Sequence, residues 1–131
     1  MRTIPIGTKA TATLVVRPEH LASRFKDAML PPVFATPMMI RLMENAALDA
    51  IKPYLEPGES AVGTSIDVKH LSATPVGHEV RATAEVVRVE GKRIDYVVSA
   101  SDEQGEIGKG THQRIVIDLA SFNERLVKKS R

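Results

Sequence analysis

The hydrophobic pattern of the chain changes near residue 58 from helical spacing to strict alternation. Before that point, residues 9–16 alternate small, threonine and aliphatic side chains, so they predict a first strand. Residues 19–29 carry apolar side chains at helical spacing and predict a short helix, which Pro31 and Pro32 end.

The longest helical pattern covers residues 36–51. Thr36 offers a side-chain oxygen as N-cap, and Pro37 stands at the first helical position, where its missing N–H costs nothing. Glu44 lies at the border of the apolar face. The polar positions form one narrow stripe, which consists of Arg41, Asn45, Asp49 and Lys52. Because the rest of the circumference is apolar, we expect most of this helix to be buried.

Alternation after residue 58 predicts four further strands, at residues 61–73, 79–89, 94–101 and 106–119. The connections between them read T-P-V-G, E-G-K-R and D-E-Q-G, which are turn sequences short enough to join antiparallel neighbours. Residues 121–129 predict a last helical turn or two.

A strand, a buried helix and then four strands is the plan of the α+β hot-dog fold, in which one long central helix is wrapped by a curved antiparallel five-stranded sheet. The 131 residues suffice for one compact domain and are too few for two, so we assign residues 1–131 to a single domain. A curled sheet around one apolar helix leaves an edge that needs a partner, which predicts a homodimer.

Composition indicates the cellular compartment and the classes of partner to expect. Hydrophobic residues make up 43% of the chain and charged residues 26%, as in globular proteins. The absence of cysteine excludes disulfides, thiolate metal ligands and a cysteine nucleophile, and it fits a cytoplasmic protein. No stretch has the pattern of a signal peptide or a membrane span, and aromatic residues are too few for base stacking, so we expect neither a membrane nor a nucleic acid as partner.

A histidine in the strand after the helix is the first candidate for chemistry. Alternation puts His70 on one face with Val62, Thr64, Ile66 and Val68, toward the helix. An imidazole there can act as an acid, a base or a hydrogen-bond donor near neutral pH. The alternative is a core histidine bonded to a backbone carbonyl.

Two residues of the main helix are further candidates. Glu44, at the edge of the buried face, is suited to take a proton from water or to attack a carbonyl itself. Its alternative is a surface ion pair with Arg41, three residues away. Thr36 is an N-cap at a helix start, where a carbonyl oxygen or an oxyanion can also be held.

The last strand contributes a fourth candidate. Arg114 shares a face with Gly108, Gly110 and His112 in that strand, and it either reaches the site or is an ordinary surface or interface arginine. The histidines other than His70 lack paired-ligand spacing, so a metal site is not expected. The glycines of G-E-I-G-K-G-T do not have the spacing of a P-loop.

Several segments together resemble one known family. They are V-F-A-T at residues 33–36, L-M-E at 42–44, P-Y-L-E-P-G-E at 53–59, G-T at 63–64, V-K-H-L-S-A-T-P at 68–75, V-E-G-K-R at 89–93 and E-I-G-K-G-T-H-Q-R at 106–114. From residue 33 onward the chain resembles the fluoroacetyl-CoA thioesterase-like branch of hot-dog proteins.

The resemblance implies a function for these residues. It implies an acyl-CoA thioesterase without a cofactor, CoA being part of the substrate, whose catalytic residues are Thr36, Glu44 and His70. It also implies that the substrate lies in a groove at a dimer interface. The residues that would bind the substrate are Phe34, Gly63, Thr64 and Arg114.

The chain departs from that family at the entrance to the site. The fluoroacetyl-specific enzyme carries aromatic lid residues before V-F-A-T, where this chain has A-M-L-P-P at residues 28–32, and Asn45 stands where that enzyme has tryptophan. We therefore expect a short-chain or small acyl-CoA as substrate rather than a strictly fluorinated one. Two alternatives are another hot-dog enzyme, such as a hydratase or dehydratase, and a non-catalytic acyl-CoA-binding module. The usual helical D-x-x-x-x-H pair of the dehydratases is missing, because Tyr54 follows Asp49 at that spacing.

Overall fold

A computed structural model describes all residues from 1 to 131. The strands are β1 (Lys9–Val15), β2 (Glu59–His70), β3 (Glu79–Glu90), β4 (Arg93–Asp102) and β5 (Gly105–Asp118). The helices are α1 (Ala22–Phe25), α2 (Thr36–Ile51) and α3 (Leu119–Lys129), with short 3-10 turns at Pro18–His20 and Lys52–Tyr54. None of these helices combines the length and the hydropathy needed to cross a membrane.

All five strands form one antiparallel sheet in the order β1-β3-β4-β5-β2. This confirms the expected fold, a long helix on a curved antiparallel five-stranded sheet. The expectation that residues 74–77 join antiparallel neighbours is wrong, because β2 pairs with β5 and lies far from β3 in the sheet. The connection instead crosses from the β2 edge to the other side of β4, and β2 is left as an edge strand.

The core lies between α2 and the sheet. Helix α2 buries eight side chains, all apolar: Met38, Met39, Leu42, Met43, Ala46, Ala47, Ala50 and Ile51. Small residues face them from the sheet, among them Ala82, Ala84 and Ala100, so the helix can approach the strands closely. The expected polar stripe of α2 is exposed throughout, from Arg41 to Lys52. The burial of α2 therefore follows the sequence pattern.

The segment before α2 differs from its sequence pattern. The short helix expected over residues 19–29 forms only as α1, because this segment pairs with the chain just ahead of α2: Ala22 N–H donates to Val33 O, and Ala35 N–H donates to His20 O. At the other end of the chain, α3 is a full helix that begins at Leu119, and the Asp118 side chain caps it by accepting from Ser121 N–H.

The start of α2 also differs from expectation. Ala35, not Thr36, is the N-cap residue, and Thr36 is already helical. The backbone of Phe34 and Ala35 is held extended by bonds to the carbonyls of Thr74 and His20, so the chain turns helical only after Ala35. The hydroxyl of Thr36 is thereby free of a capping role.

A β-bulge interrupts the alternation of β2. Gly63 is opposite Arg114 and Ser65 is opposite Gln113, which leaves Thr64 as the extra residue. Beyond the bulge, Ile66, Val68 and His70 share a face as expected, but Val62 and Thr64 do not continue it. The bulge instead puts Gly63 on the face of His70.

A buried hydrogen bond joins the sheet to the helix and can be tested by substitution. Tyr96 on β4 donates its hydroxyl hydrogen to the carbonyl oxygen of Ala47 in α2 at 2.9 Å. We expect Tyr96→Phe to lower the free energy of unfolding by about 1–3 kcal/mol, because a buried carbonyl loses its donor. Urea denaturation measures the change.

Tyr54 provides a matched control for this substitution. Its hydroxyl makes no hydrogen bond within the chain, so Tyr54→Phe should change the stability by less than about 0.5 kcal/mol. Equal losses in the two variants would contradict the assignment of the Tyr96 bond as a stabilising contact.

Candidate active site

The side chains of Thr36 and His70 meet at the start of α2. Thr36 Oγ1 and His70 Nδ1 are 2.8 Å apart, a hydrogen bond between the first turn of the helix and the last residue of β2. The Nε2 atom of His70 is buried and has no hydrogen-bond partner. Since buried polar atoms are normally paired, this nitrogen is available to a ligand.

Burial also determines the charge of this imidazole. Desolvation lowers the pKa of His70 below its usual value of 6.5, and the nearby backbone of Ser72 partly opposes that shift. His70 is therefore neutral near pH 7, with one ring nitrogen bonded to Thr36.

A cavity of about 270 Å³ opens beside this pair. Its walls are mostly apolar and come from α1, from the start of α2 with the segment ahead of it, and from the end of β2 with the segment after it: Ala22, Val33, Phe34, Thr36, His70, Leu71, Ser72 and Ala73. Phe34, which the sequence resemblance assigns to substrate binding, is fully buried here. An apolar wall next to an unpaired imidazole nitrogen suits a small acyl chain with a polar reacting end.

Glu44 lies in a second group of side chains, two turns further along α2. Its Oε2 is 2.9 Å from the position that a Cβ on Gly63 would occupy, so a side chain at residue 63 would displace the carboxylate from this place against β2. Arg114 Nη1 is 3.7 Å from the same oxygen. Arg41 makes no ion pair with Glu44, so the surface pairing considered from the sequence is absent. With 41% of its side chain exposed, Glu44 is also less buried than its position on the helix suggested.

Arg114 is buried among acceptors rather than exposed on the surface. It donates from Nη2 to Ala61 O at 2.8 Å and lies 3.2 Å from His112 Nε2. His112 Nδ1 is 2.7 Å from Ser65 O, and the ring stacks on Tyr96 with a centroid distance of 5.5 Å. Burial lowers the pKa of His112 below 6.5, a shift that Arg114 reinforces and that Ser65 O and Glu44 oppose.

Sequence reasoning missed His112 as a neighbour of Glu44. The spacing of His112 argues against a metal ligand, and the structure contains no group of side chains able to hold a metal ion. Its position on the face of Arg114 was visible in the alternation of β5. Thr64, in contrast, is exposed at the bulge and donates its hydroxyl hydrogen to Gln113 O at 3.3 Å.

Within one chain the candidate residues therefore form two groups. Thr36 and His70 are together at the start of α2, whereas Glu44 is with Gly63 and Arg114. Thr36 and Glu44 are eight positions apart in the helix, about 12 Å along the axis. The two groups line different cavities and share no hydrogen bond.

Comparison with known proteins first defines the class. A solved hot-dog-like protein from Thermanaerovibrio acidaminovorans shares the fold, with a TM-score of 0.87 at 24% identity over 96% of this chain and 93% of that one. A solved structure of the fluoroacetyl-CoA thioesterase FlK superposes with a TM-score of 0.92 at 44% identity, over 97% of this chain and 98% of the other. The fold and the relatives define a thioester hydrolase of the hot-dog class.

The family follows from the sequence matches. The profile of the FlK family, described as fluoroacetyl-CoA-specific thioesterase, matches residues 16–120. The curated fluoroacetyl-CoA thioesterase of Streptantibioticus cattleyicolor is 46% identical over 130 residues, which cover 95% of this chain and 94% of that protein. This chain belongs to the FlK thioesterase family, and the resemblance stated from its motifs is confirmed.

Buried His112 and partly buried His70 predict a loss of stability in acid. Both have a lowered pKa in the folded state, so the unfolded chain binds more protons once the pH falls below their usual value of 6.5. Their contribution to stability is thus complete above about pH 6.5 and is lost as the pH falls toward the lowered pKa. Urea denaturation between about pH 5 and 7.5 measures how stability depends on pH. This range lies above the pH at which most carboxylates titrate.

Replacing either histidine with a residue that does not titrate tests whether the histidines cause this dependence of stability on pH. His70→Asn and His112→Asn should each make stability less dependent on pH in this window, whatever their effect on stability at pH 7.5. A slope unchanged in both variants would show that these histidines do not cause it.

Proposed function

We propose that this protein hydrolyses short-chain acyl-CoA thioesters to the free acid and CoA, with Glu44, His70 and Thr36 as its catalytic residues. The observation that carries the proposal is the Thr36–His70 hydrogen bond, which leaves a buried imidazole nitrogen unpaired beside an apolar cavity. The curated relative named for fluoroacetyl-CoA supports a CoA thioester as substrate.

The separation of Glu44 from His70 supports a site shared between two chains of a homodimer. The rise of about 12 Å along α2 between Thr36 and Glu44 is larger than a thioester carbonyl, and the two groups line different cavities, which favours their acting at different reacting carbons. Strand β2 is an edge strand, and residues 63–67 of it are exposed. Antiparallel pairing of this edge with its two-fold copy satisfies the free backbone groups of both chains.

Such a pairing brings the separated groups together. If the two-fold axis passes near Ile66, Gly63 lies opposite the end of the neighbouring β2, close to His70 of the partner subunit. Glu44, which contacts Gly63, then faces the Thr36–His70 pair of the other chain across the interface. Each dimer has two such sites by symmetry.

Two chemical routes fit this arrangement. In one, Glu44 takes a proton from water, whose oxygen attacks the thioester carbon. In the other, a Glu44 oxygen attacks that carbon to give a mixed anhydride, which water then hydrolyses. In both, the carbon–sulfur bond breaks, His70 assists the departing thiolate, and Thr36 holds His70 or the developing oxyanion.

The entrance to the cavity supports a general small-acyl specificity. Met29 is 92% exposed and Phe25 lies half exposed outside the wall, so the segment ahead of Phe34 forms no aromatic gate over the site. We therefore assign acetyl-CoA and similar short acyl-CoAs to the site, with fluoroacetyl-CoA as one member of that set. The cysteine-free composition supports placing this reaction in the cytoplasm.

Thiol release from a panel of acyl-CoAs tests the activity and its residues. We expect Glu44→Gln and His70→Ala to lower kcat by about 10²- to 10⁴-fold on acetyl-CoA, because each removes a group that moves a proton or attacks carbon. Thr36→Ser, which keeps the hydroxyl, should retain more activity than Thr36→Val.

Asp49→Asn is the control for the loss of a carboxylate from α2. Asp49 lies on the exposed stripe and pairs with Lys52 at 3.2 Å, so its variant should keep the wild-type rate. Absence of thiol release by the wild type on every thioester would favour the non-catalytic binding module. Full rates in Glu44→Gln and His70→Ala would refute the assigned mechanism.

Mixed dimers test the shared site directly. Glu44→Gln and His70→Ala chains carrying different affinity tags are co-expressed, and the species retained by both tags is purified. One of its two sites combines an intact Glu44 with an intact His70, so the mixed dimer should recover about half of the wild-type rate although each parent is inactive.

Sites confined to single chains give a different result. In that case every site of the mixed dimer lacks one group, and the mixed dimer stays as inactive as its parents. A wild-type protein that sediments as a folded monomer at micromolar concentration would also contradict the shared site.

A further inference from the structure

His112 is the only buried histidine that the proposed reaction does not use. Only 3% of it is exposed, and it lies on β5, the strand of Arg114, opposite Ile66 of β2. The Cε1 atom is 3.3 Å from the position that a Cβ on Gly63 would occupy. This imidazole therefore packs against the same glycine that makes room for Glu44.

The contacts of His112 fix its tautomer. A carbonyl oxygen only accepts hydrogen bonds, so His112 must donate its Nδ1–H to Ser65 O, 2.7 Å away. A guanidinium only donates, so Arg114 must donate from Nη1 to the unprotonated His112 Nε2 at 3.2 Å. Both bonds require the same neutral ring, and burial keeps the pKa of His112 low enough for that form.

Each of these two bonds reaches one neighbour of Glu44. The bond to Ser65 O holds the bulge that presents Gly63, and the bond from Arg114 holds the guanidinium whose Nη1 faces the carboxylate. Tyr96 stacks on the ring and is itself bonded to α2 through Ala47 O. The ring thus connects β2, β5 and β4 at the point where α2 brings in Glu44.

We infer that His112 is a positioning residue for the hydrolysis, which sets the place of the Glu44 carboxylate through Arg114 and through the bulge at Gly63. This inference rests on the proposed function, because it assigns His112 a role in the reaction of Glu44. In this role the imidazole acts through Arg114 and the bulge rather than on the substrate. Its effect should fall on kcat, since a carboxylate displaced by about 1 Å costs about 10²-fold in rate.

Three substitutions separate the two bonds of the ring. His112→Gln can place an acceptor near the position of Nε2, His112→Asn can place a donor near the position of Nδ1, and His112→Phe keeps a ring on Tyr96 without either bond. We expect His112→Phe and His112→Asn to lower kcat on acetyl-CoA roughly 10- to 100-fold with little change in KM. His112→Gln should recover a large part of the loss, because Arg114 regains its acceptor.

Rates are measured on protein whose folding is checked by circular dichroism and whose stability is measured by urea denaturation. A purely structural role predicts lower stability in all three variants but a normal kcat for the folded protein, and that result would overturn the inference. So would a kcat in His112→Gln no better than in His112→Phe when both are folded. If His112→Phe does not fold, the kcat of His112→Gln is compared with that of His112→Asn instead.

Glu44→Gln in the same assay separates this inference from the proposed function. If Glu44→Gln is inactive and His112→Phe has the wild-type kcat, the mechanism stands and only the role of His112 fails. If Glu44→Gln has the wild-type rate, the mechanism itself fails.

Discussion

The burial of α2 is the constraint on which the rest of this structure depends. Eight apolar side chains hold the helix against the sheet, and small residues on both sides allow a close approach. A helix held in this way has little freedom to rotate or slide, because shifting it would expose methionine and leucine side chains and open voids. The two polar groups that it carries toward the sheet, Thr36 and Glu44, are therefore held at fixed places by packing that involves neither of them.

The sheet places different side chains next to Thr36 and Glu44. At the start of α2, neutral His70 makes one hydrogen bond, to Thr36, and its other ring nitrogen has no partner. Two turns later a guanidinium faces the carboxylate, and a second neutral histidine supplies the acceptor that holds the guanidinium in place. Burial is what keeps both imidazoles neutral, so the same packing that stabilises the fold also determines their protonation.

Much of this arrangement could be predicted from local sequence. Side-chain periodicity predicts the bounds of α2 and its exposed polar stripe. It also predicts that Ile66 and His70 lie on the same face of β2. Three features could not be predicted, because each depends on contacts distant in the chain. The pairing of β2 with β5 is one of several possible sheet topologies. The helical position of Thr36 results from the hydrogen bonds that hold Phe34 and Ala35 extended. The environment of Glu44 depends on Arg114 from the last strand.

The bulge in β2 has a consequence for comparing sequences of this family. Gly63 and His70 are seven residues apart, and in a regular strand an odd spacing puts two side chains on opposite faces. The extra residue at Thr64 corrects the parity, so both lie on the face that meets α2. In a relative that keeps the glycine and the histidine, an even spacing would indicate a strand without the bulge. The number of residues between two such positions can therefore indicate a backbone irregularity that no single residue reveals.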